Sequence, residues 1–261
     1  MCSAFYEGDK FYYQLAQQSS YLRSNHIECS MTTASHPQFY ENISSQDSFI
    51  ICCFYTENYR DHALSLKQSL DSFGLNYYFK QVDDAGYWEA NTRIKPHFIL
   101  ECLQQFPNKN VLYLDADALV KKPLDYFNHI ESDVAFYKTK GMEGMSHDYL
   151  ASTMFFKNTE NTVSLVKQWI AEQVDGKRTQ VDQDSLDAAM EKIGDQLSIE
   201  PLNPGYIKIF DKDYEGEVYI EQYQASRGHT KLKRQMIRKR NKIIIISVVV
   251  VAVILVLIAV N

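Results

Sequence analysis

No glycine-rich phosphate loop opens this 261-residue chain: the first long apolar run, at 48–56, passes straight into Glu57-Asn58. Its five cysteines (Cys2, Cys29, Cys52, Cys53 and Cys102) include no CxxC pair, which excludes a thiolate zinc centre. An odd number of them without a framework points to a reducing compartment rather than a disulfide scaffold. No positively charged stretch followed by an apolar one stands at the start, so no secretory signal peptide is expected. Internal repeats are missing too. Acidic residues disappear from Gln222 onward, where eight Lys/Arg are found, so residues 1–221 carry a net charge of −14 while the whole chain carries −6. A body that acidic excludes nonspecific nucleic-acid binding, which needs a basic face. It suits a protein that collects divalent cations.

Hydrophobic residues make up 45% of the chain and charged residues 23%, ordinary globular proportions. The length holds one good-sized α/β domain with appendages. Residues 1–46, rich in Ser, Gln, Tyr and His, read as an irregular N-terminal extension, and the ordered domain is expected over 47–230. At the other end, 243–260 is eighteen residues of Ile, Val, Leu and Ala broken only by Ser247. As a helix it spans roughly 27 Å, close to the thickness of a bilayer's hydrocarbon core, so a single-pass C-terminal transmembrane helix is expected. The juxtamembrane segment 231–242 carries seven basic residues. These keep their side of the membrane cytoplasmic and attract anionic headgroups, so the body is expected to face the cytosol.

Between these ends, strands alternate with helices. The continuous apolar run at 48–56 is of buried-strand type, with Cys52 and Cys53 on opposite faces as small core residues. Ala63, Leu66, Leu70 and Phe73 then recur at helical spacing over 59–73, with Gly74 as the stop. Further strands are predicted at 75–82, 110–114, 133–137 and 152–156, and further helices at 95–105, 162–174 and 184–193. Pro96 is tolerated in a first helical turn. The pattern is α/β and predicts a mixed, mainly parallel, Rossmann-like sheet flanked by helices. Ligands bind beyond the carboxyl ends of such strands, where Thr56, Asp83 and the turn at 115–117 fall.

The most informative residues are Val111-Leu112-Tyr113-Leu114-Asp115-Ala116-Asp117. An apolar strand delivers two carboxylates, one residue apart, into a turn. Alternate residues on an extended segment point the same way, so Asp115 and Asp117 can address one hard cation and the phosphate oxygens that share its shell. A bare Asp-x-Asp is as well explained by a solvated turn; the strand before it and Ala118-Leu119-Val120 after it favour the cation.

This segment resembles the DxD region of GT-A glycosyltransferases, and the likeness covers about residues 47–231, similar to family 8-like enzymes. The stretch from Gly86 to Pro96 resembles the one before the DxD helix, Val181-Asp182-Gln183-Asp184 resembles an acceptor-side Asp-Gln element, and Gln224-Ala225-Ser226-Arg227 resembles a late Gln-Ala-Ser-Arg stretch. The resemblance implies a GT-A fold, a nucleotide-sugar donor (a UDP-sugar foremost) and Mn²⁺ or Mg²⁺ on Asp115 and Asp117. It implies phosphate contacts from Arg93, Lys95 or Arg227, and catalytic roles for Asp182 and Gln183. Lys95 reads equally as an exposed helix residue, and Asp182 as a helix cap with Asp184 its competitor. Tyr55, Thr56 and Tyr59 can cradle base and ribose or belong to core and surface. A late His often serves as third metal ligand; its expected place is held here by Gln222 or Tyr223, and His229, which follows, is the candidate.

The expected activity is transfer of a sugar to an acceptor hydroxyl on a carbohydrate, lipid-linked or protein acceptor, at the cytosolic face of a membrane. A nucleotidyltransferase and a non-catalytic membrane-tethered protein are the alternatives; the first normally shows the glycine-rich loop that is missing.

Overall fold

The structure, a computed structural model, describes residues 39–142, 144–174 and 177–227. The basic segment 231–242, the apolar run 243–260 and His229 lie outside them, as does most of the expected N-terminal extension. Among the described residues no helix is long and apolar enough to cross a membrane.

The chain runs β1 (Phe39–Asn42), β2 (Phe49–Tyr55), α1 (Arg60–Ser72), β3 (Tyr77–Gln81), α2 (Trp88–Thr92), α3 (Lys95–Gln105), β4 (Asn110–Leu114) and β5 (Ala118–Val120). It continues with β6 (Val134–Lys138), β7 (Tyr149–Phe156), α4 (Glu160–Ala171), α5 (Asp182–Ile193), β8 (Ile199–Pro201), β9 (Lys208–Ile209) and β10 (Ile220–Gln222). A seven-stranded sheet has the order β1-β3-β2-β4-β7-β6-β8, and a three-stranded one the order β5-β10-β9.

The sheet is mixed, as expected, but it is not mainly parallel, because parallel and antiparallel pairings are equal in number in it. β3, β2 and β4 pair in parallel, but β7 runs antiparallel to both β4 and β6, and β1 antiparallel to β3. The link from β6 to β7 is a short excursion rather than a helical crossover, so the two strands pair as neighbours in opposite directions. β1 also carries the sheet into the stretch expected to be an irregular extension, pairing Phe39 through Asn42 with Lys80 through Tyr77. Its pattern of half-buried positions is that of an edge strand, which is why no apolar run announced it.

Elsewhere the periodicities translate directly. β2 lies between β3 and β4, so both its faces are covered and the run is continuously apolar. Ile51, Cys53 and Tyr55 join the core under α1, while Ile50 and Cys52 join the one under α3, α4 and α5. In α1, Ala63, Leu66 and Leu70 make the buried stripe, and Gly74 leaves the helix with φ +64, a conformation that glycine adopts without Cβ strain. α5 begins at Asp182, two residues ahead of the expected start, so Asp182 and Gln183 belong to its first turn.

Candidate active site

The carboxyl ends of β2 and β4 and the beginning of the antiparallel β7 meet at one edge of the sheet. A cavity of about 310 Å³ opens there. β4 fixes Asp115 through its register: Leu114 pairs with Thr153, and the next amide, Asp115 N–H, donates to the Ser152 carbonyl at 3.0 Å. The turn closes as Ala118 N–H donates to the Asp115 carbonyl at 3.0 Å. The chain then enters β5, which pairs with β10 so that Ala118 faces Gln222. From beyond β10, Tyr223 N–H donates to the Asp117 carbonyl at 3.0 Å and Ala225 N–H to Asp117 Oδ2 at 2.6 Å. Asp115 and Asp117 thus line the same cavity, each clamped by backbone from a different sheet.

Lys95 stands behind them. Its Nζ is 3.1 Å from Asp115 Oδ1 and 2.5 Å from Asp182 Oδ2, and it donates to the Ala151 carbonyl at 2.9 Å. An ammonium has three N–H groups, so these three acceptors occupy them all. Burial disfavours its charge, but Asp115 and Asp182 outweigh burial and hold the lysine pKa above its ordinary value. Asp182 is pushed up by burial, with Lys95 pulling the other way. Asp117 is lifted to about 6, first by burial and then by the charge of Asp115, against two backbone N–H contacts. Among the described residues lining the cavity, Asp115, Asp117 and Asp182 face one cationic side chain, Lys95.

That excess of carboxylate is what a divalent cation relieves. The donors suit one: two carboxylates reach a common space, and oxygen ligands match Mg²⁺ and Mn²⁺. Among the described residues no group of three or more His, Cys, Asp and Glu is arranged to hold an ion. The Oε1 of Gln222, on the same cavity wall, is buried without a hydrogen-bond partner. The residues present therefore fit a metal ion.

The structure brings most of the sequence-derived candidates together. Tyr55, Thr56, Tyr59, Lys95, Asp115, Asp117, Asp182 and Gln183 all line the cavity. Lys95 is buried rather than an exposed helix residue. Burial lifts the Tyr55 phenol to about 12, so it stays neutral. Gln183 donates from Nε2 to the Tyr149 carbonyl at 2.9 Å. Asp184 does not line the cavity; its carboxylate accepts from Val181 N–H at 2.8 Å and caps α5, the role Asp182 had competed for.

Three candidates lie elsewhere. Arg93 is not on the cavity wall; it donates from Nη2 to the Tyr87 hydroxyl at 2.8 Å. Arg227 is 2.5 Å from Asp211 and sits over the Phe210 ring, while its neighbours Gln224 and Ser226 face the cavity. Asp83 is exposed and off the wall. Conversely, Trp88, Asn91 and Thr92 line the cavity without having been singled out. Their spacing with Lys95, at i, i+3, i+4 and i+7, is one helical face and was a usable signal. Gln224 is the one described non-glycine residue with positive φ, at 51°, a strained geometry beside the cavity that a local sequence does not announce.

Solved structures similar to this chain include three transferases. A glycosyltransferase involved in the glycosylation of the major capsid of PBCV-1 matches with TM-score 0.55 at 14% identity, over 69% of this chain and 96% of that one. The glycosyltransferase GlyE of Streptococcus pneumoniae matches with TM-score 0.47 at 14% identity, over 69% and 55% of the two chains. Mouse xyloside xylosyltransferase 1 matches with TM-score 0.45 at 9% identity, over 68% and 98%. At such identities the first of them speaks for the fold alone, which is GT-A. A search among curated proteins found no match. The family model described as nucleotide-diphospho-sugar transferase matches residues 66–238, a segment that contains the DxD turn, Lys95 and the Asp182-Gln183 pair. The chain belongs to the nucleotide-diphospho-sugar transferase family, the GT-A glycosyltransferases that its DxD segment resembles.

Proposed function

We propose that this glycosyltransferase is metal-dependent and moves a sugar, a hexose from a UDP-sugar foremost, to an acceptor hydroxyl. The observation that carries the reading is the pair Asp115 and Asp117 in one cavity, with the Asp117 pKa raised to about 6 beside a carboxylate excess. Asp115 and Asp117 would hold Mn²⁺ or Mg²⁺. When bound, the ion supplies charge neutralisation for the departing diphosphate.

The protein's own groups do the rest. Lys95 holds Asp115 and Asp182 in place by ion pairing, so the carboxylates wait in position rather than reorganising during the reaction. Tyr55, Thr56 and Tyr59 offer aromatic and hydroxyl surface for base and ribose at the end of β2. Asp182 Oδ2 is engaged by Lys95, which removes it as a free base, and Gln183, on the cavity wall with its Nε2 donating to the Tyr149 carbonyl, would face the sugar with its amide oxygen. The acceptor hydroxyl then passes its proton to the phosphate oxygen that leaves the anomeric carbon, the new glycosidic bond forms on the same face, and configuration is retained. This is the family 8-like course.

The acidic body works, on this reading, at the cytosolic face of a membrane held by the 243–260 span, with the basic 231–242 segment against its headgroups. Its acceptors are carbohydrate, lipid-linked or protein hydroxyls near that surface.

Incubation of the purified chain with a panel of nucleotide-sugars and Mn²⁺, followed for free sugar and nucleoside diphosphate, tests the activity. Slow hydrolysis of one donor is expected and should stop with a chelator. Release of pyrophosphate from a nucleoside triphosphate and sugar phosphate would mean a nucleotidyltransferase instead, and inertness toward every donor a tether.

A further inference from the structure

Gln222 ends β10 opposite Ala118, the residue that follows the DxD turn. Its side chain is 2% exposed. Nε2 donates to Thr153 Oγ1 at 2.9 Å and to the Ser152 carbonyl at 3.3 Å. The second bond fixes which way the amide points: a carbonyl oxygen only accepts, so the NH₂ end must face Ser152 and Oε1 must turn away. That Oε1 is buried and has no hydrogen-bond partner. The same Ser152 carbonyl receives the Asp115 backbone N–H at 3.0 Å, so one oxygen atom ties the Gln222 head group to the backbone of the first DxD carboxylate. An unpartnered acceptor is costly inside a protein, and its neighbours on the cavity wall, Asp115 and Asp117, are acceptors themselves. Only a donor or a cation completes such a group.

We infer that Gln222 Oε1 supplies the third protein oxygen to a divalent cation held by Asp115 and Asp117, making the donor set all-oxygen. The inference rests on the metal-dependent reading above. It has a consequence that a set containing imidazole would not share. Carboxylate and amide oxygens suit Mg²⁺ and Mn²⁺, whereas imidazole nitrogen favours the later transition metals. This chain should therefore discriminate poorly in favour of Co²⁺ over Mg²⁺.

Binding of Mn²⁺, Mg²⁺ and Co²⁺ to the detergent-solubilised full chain, alone and with UDP, reads this directly by titration calorimetry and Mn²⁺ paramagnetic resonance. Gln222→Ala should lower Mn²⁺ affinity by about tenfold or more, while Gln222→Glu, which keeps an oxygen in place, should retain it. Gln222→His should raise the Co²⁺ to Mg²⁺ affinity ratio by at least about tenfold. Thermal melting of each variant identifies any that do not fold, and the Glu and His variants keep the test open if the Ala variant collapses.

If Gln222 merely braces Ser152 and Thr153, folded Ala and His variants will bind every metal with an unchanged ratio, and the inference falls. A folded Gln222→Glu that loses Mn²⁺ binding would overturn it as well. Loss of Mn²⁺ binding in Asp115→Asn alongside wild-type affinity and selectivity in all Gln222 variants would leave the DxD metal standing and remove only Gln222. A wild-type chain that binds no Mn²⁺, with or without UDP, overturns both readings.

Discussion

The ammonium of Lys95 lies 2.5 Å from the carboxylate of Asp182, although the two residues are 87 positions apart in the sequence. Both are 4% exposed. Neither is stable there without the other: an ion taken out of water recovers its lost hydration only from a partner with good geometry. The Trp169 indole N–H, donating to the Asp182 carbonyl at 2.9 Å, seats the first turn of α5 that brings the carboxylate to the lysine.

Lys95→Met should cost about 3–5 kcal/mol, because it strands a buried carboxylate at Asp182 and removes the counter-charge of Asp115. A second change, Asp182→Leu, placed on top of Lys95→Met should return much of that stability. Chemical denaturation of wild type, both single variants and the double variant measures the coupling. If the double variant is as unstable as the sum of the singles, the pair is not what holds α5 against α3.

Asp117 sets a conflict between stability and function. Its folded pKa is raised to about 6 from an ordinary value of 3.8, so the group favours the fold when protonated and that advantage is lost as pH rises through about 6. Asp117→Asn should therefore stabilise the metal-free protein by on the order of 1–3 kcal/mol above pH 6, with the gain shrinking toward nothing below pH 4. The asparagine oxygen can still accept from Ala225 N–H. The same variant, like Asp115→Asn, should lose at least about a hundredfold in metal-dependent turnover while remaining folded. Thermal unfolding against pH with a chelator present, beside a donor-hydrolysis assay, checks both halves.

Gln224 occupies the left-handed region at φ 51, where a side chain's Cβ crowds its own carbonyl. Gln224→Gly should raise stability by up to about 1 kcal/mol, and Gln224→Val should lower it by more than that. The melting temperatures of the two variants must move in opposite directions. A fall in both would mean that side-chain contacts at the cavity, not backbone strain, dominate at this position.

Trp169→Phe removes an N–H shared by the Asp182 carbonyl and, at 3.1 Å, Ser185 Oγ, while keeping most of the buried ring. A loss of about 1–3 kcal/mol is expected from the acceptors left behind. Because the indole seats the turn that carries Asp182 and Gln183, turnover should fall more than stability alone explains. Equal turnover per folded molecule would separate Trp169 from the site.

Local residues determined a good deal of this molecule on their own. The apolar run of β2, the Ala63-Leu66-Leu70 stripe of α1, and β4 leading into Asp115 and Asp117 are patterns of period two or 3.6, carried by neighbours in the chain. Such patterns survive without knowing what they pack against. The DxD turn was legible for the same reason. The direction of β7, the edge strand β1 and the destination of each cation were not, since strand pairing and ion pairing are long-range choices. Lys95 looked like a surface helix residue or a phosphate ligand, and only the fold showed that Asp115, Asp182 and the Ala151 carbonyl take all its protons. Arg227 lay in a promising motif, yet its nearest carboxylate proved to be Asp211. Gln222 stood, with Tyr223, where a late metal-ligating His was expected, but an amide there gave the sequence no reason to choose it over His229. Its meaning arises from burial beside two carboxylates, because an acceptor is left wanting only where tertiary packing has excluded the water that would otherwise have satisfied it.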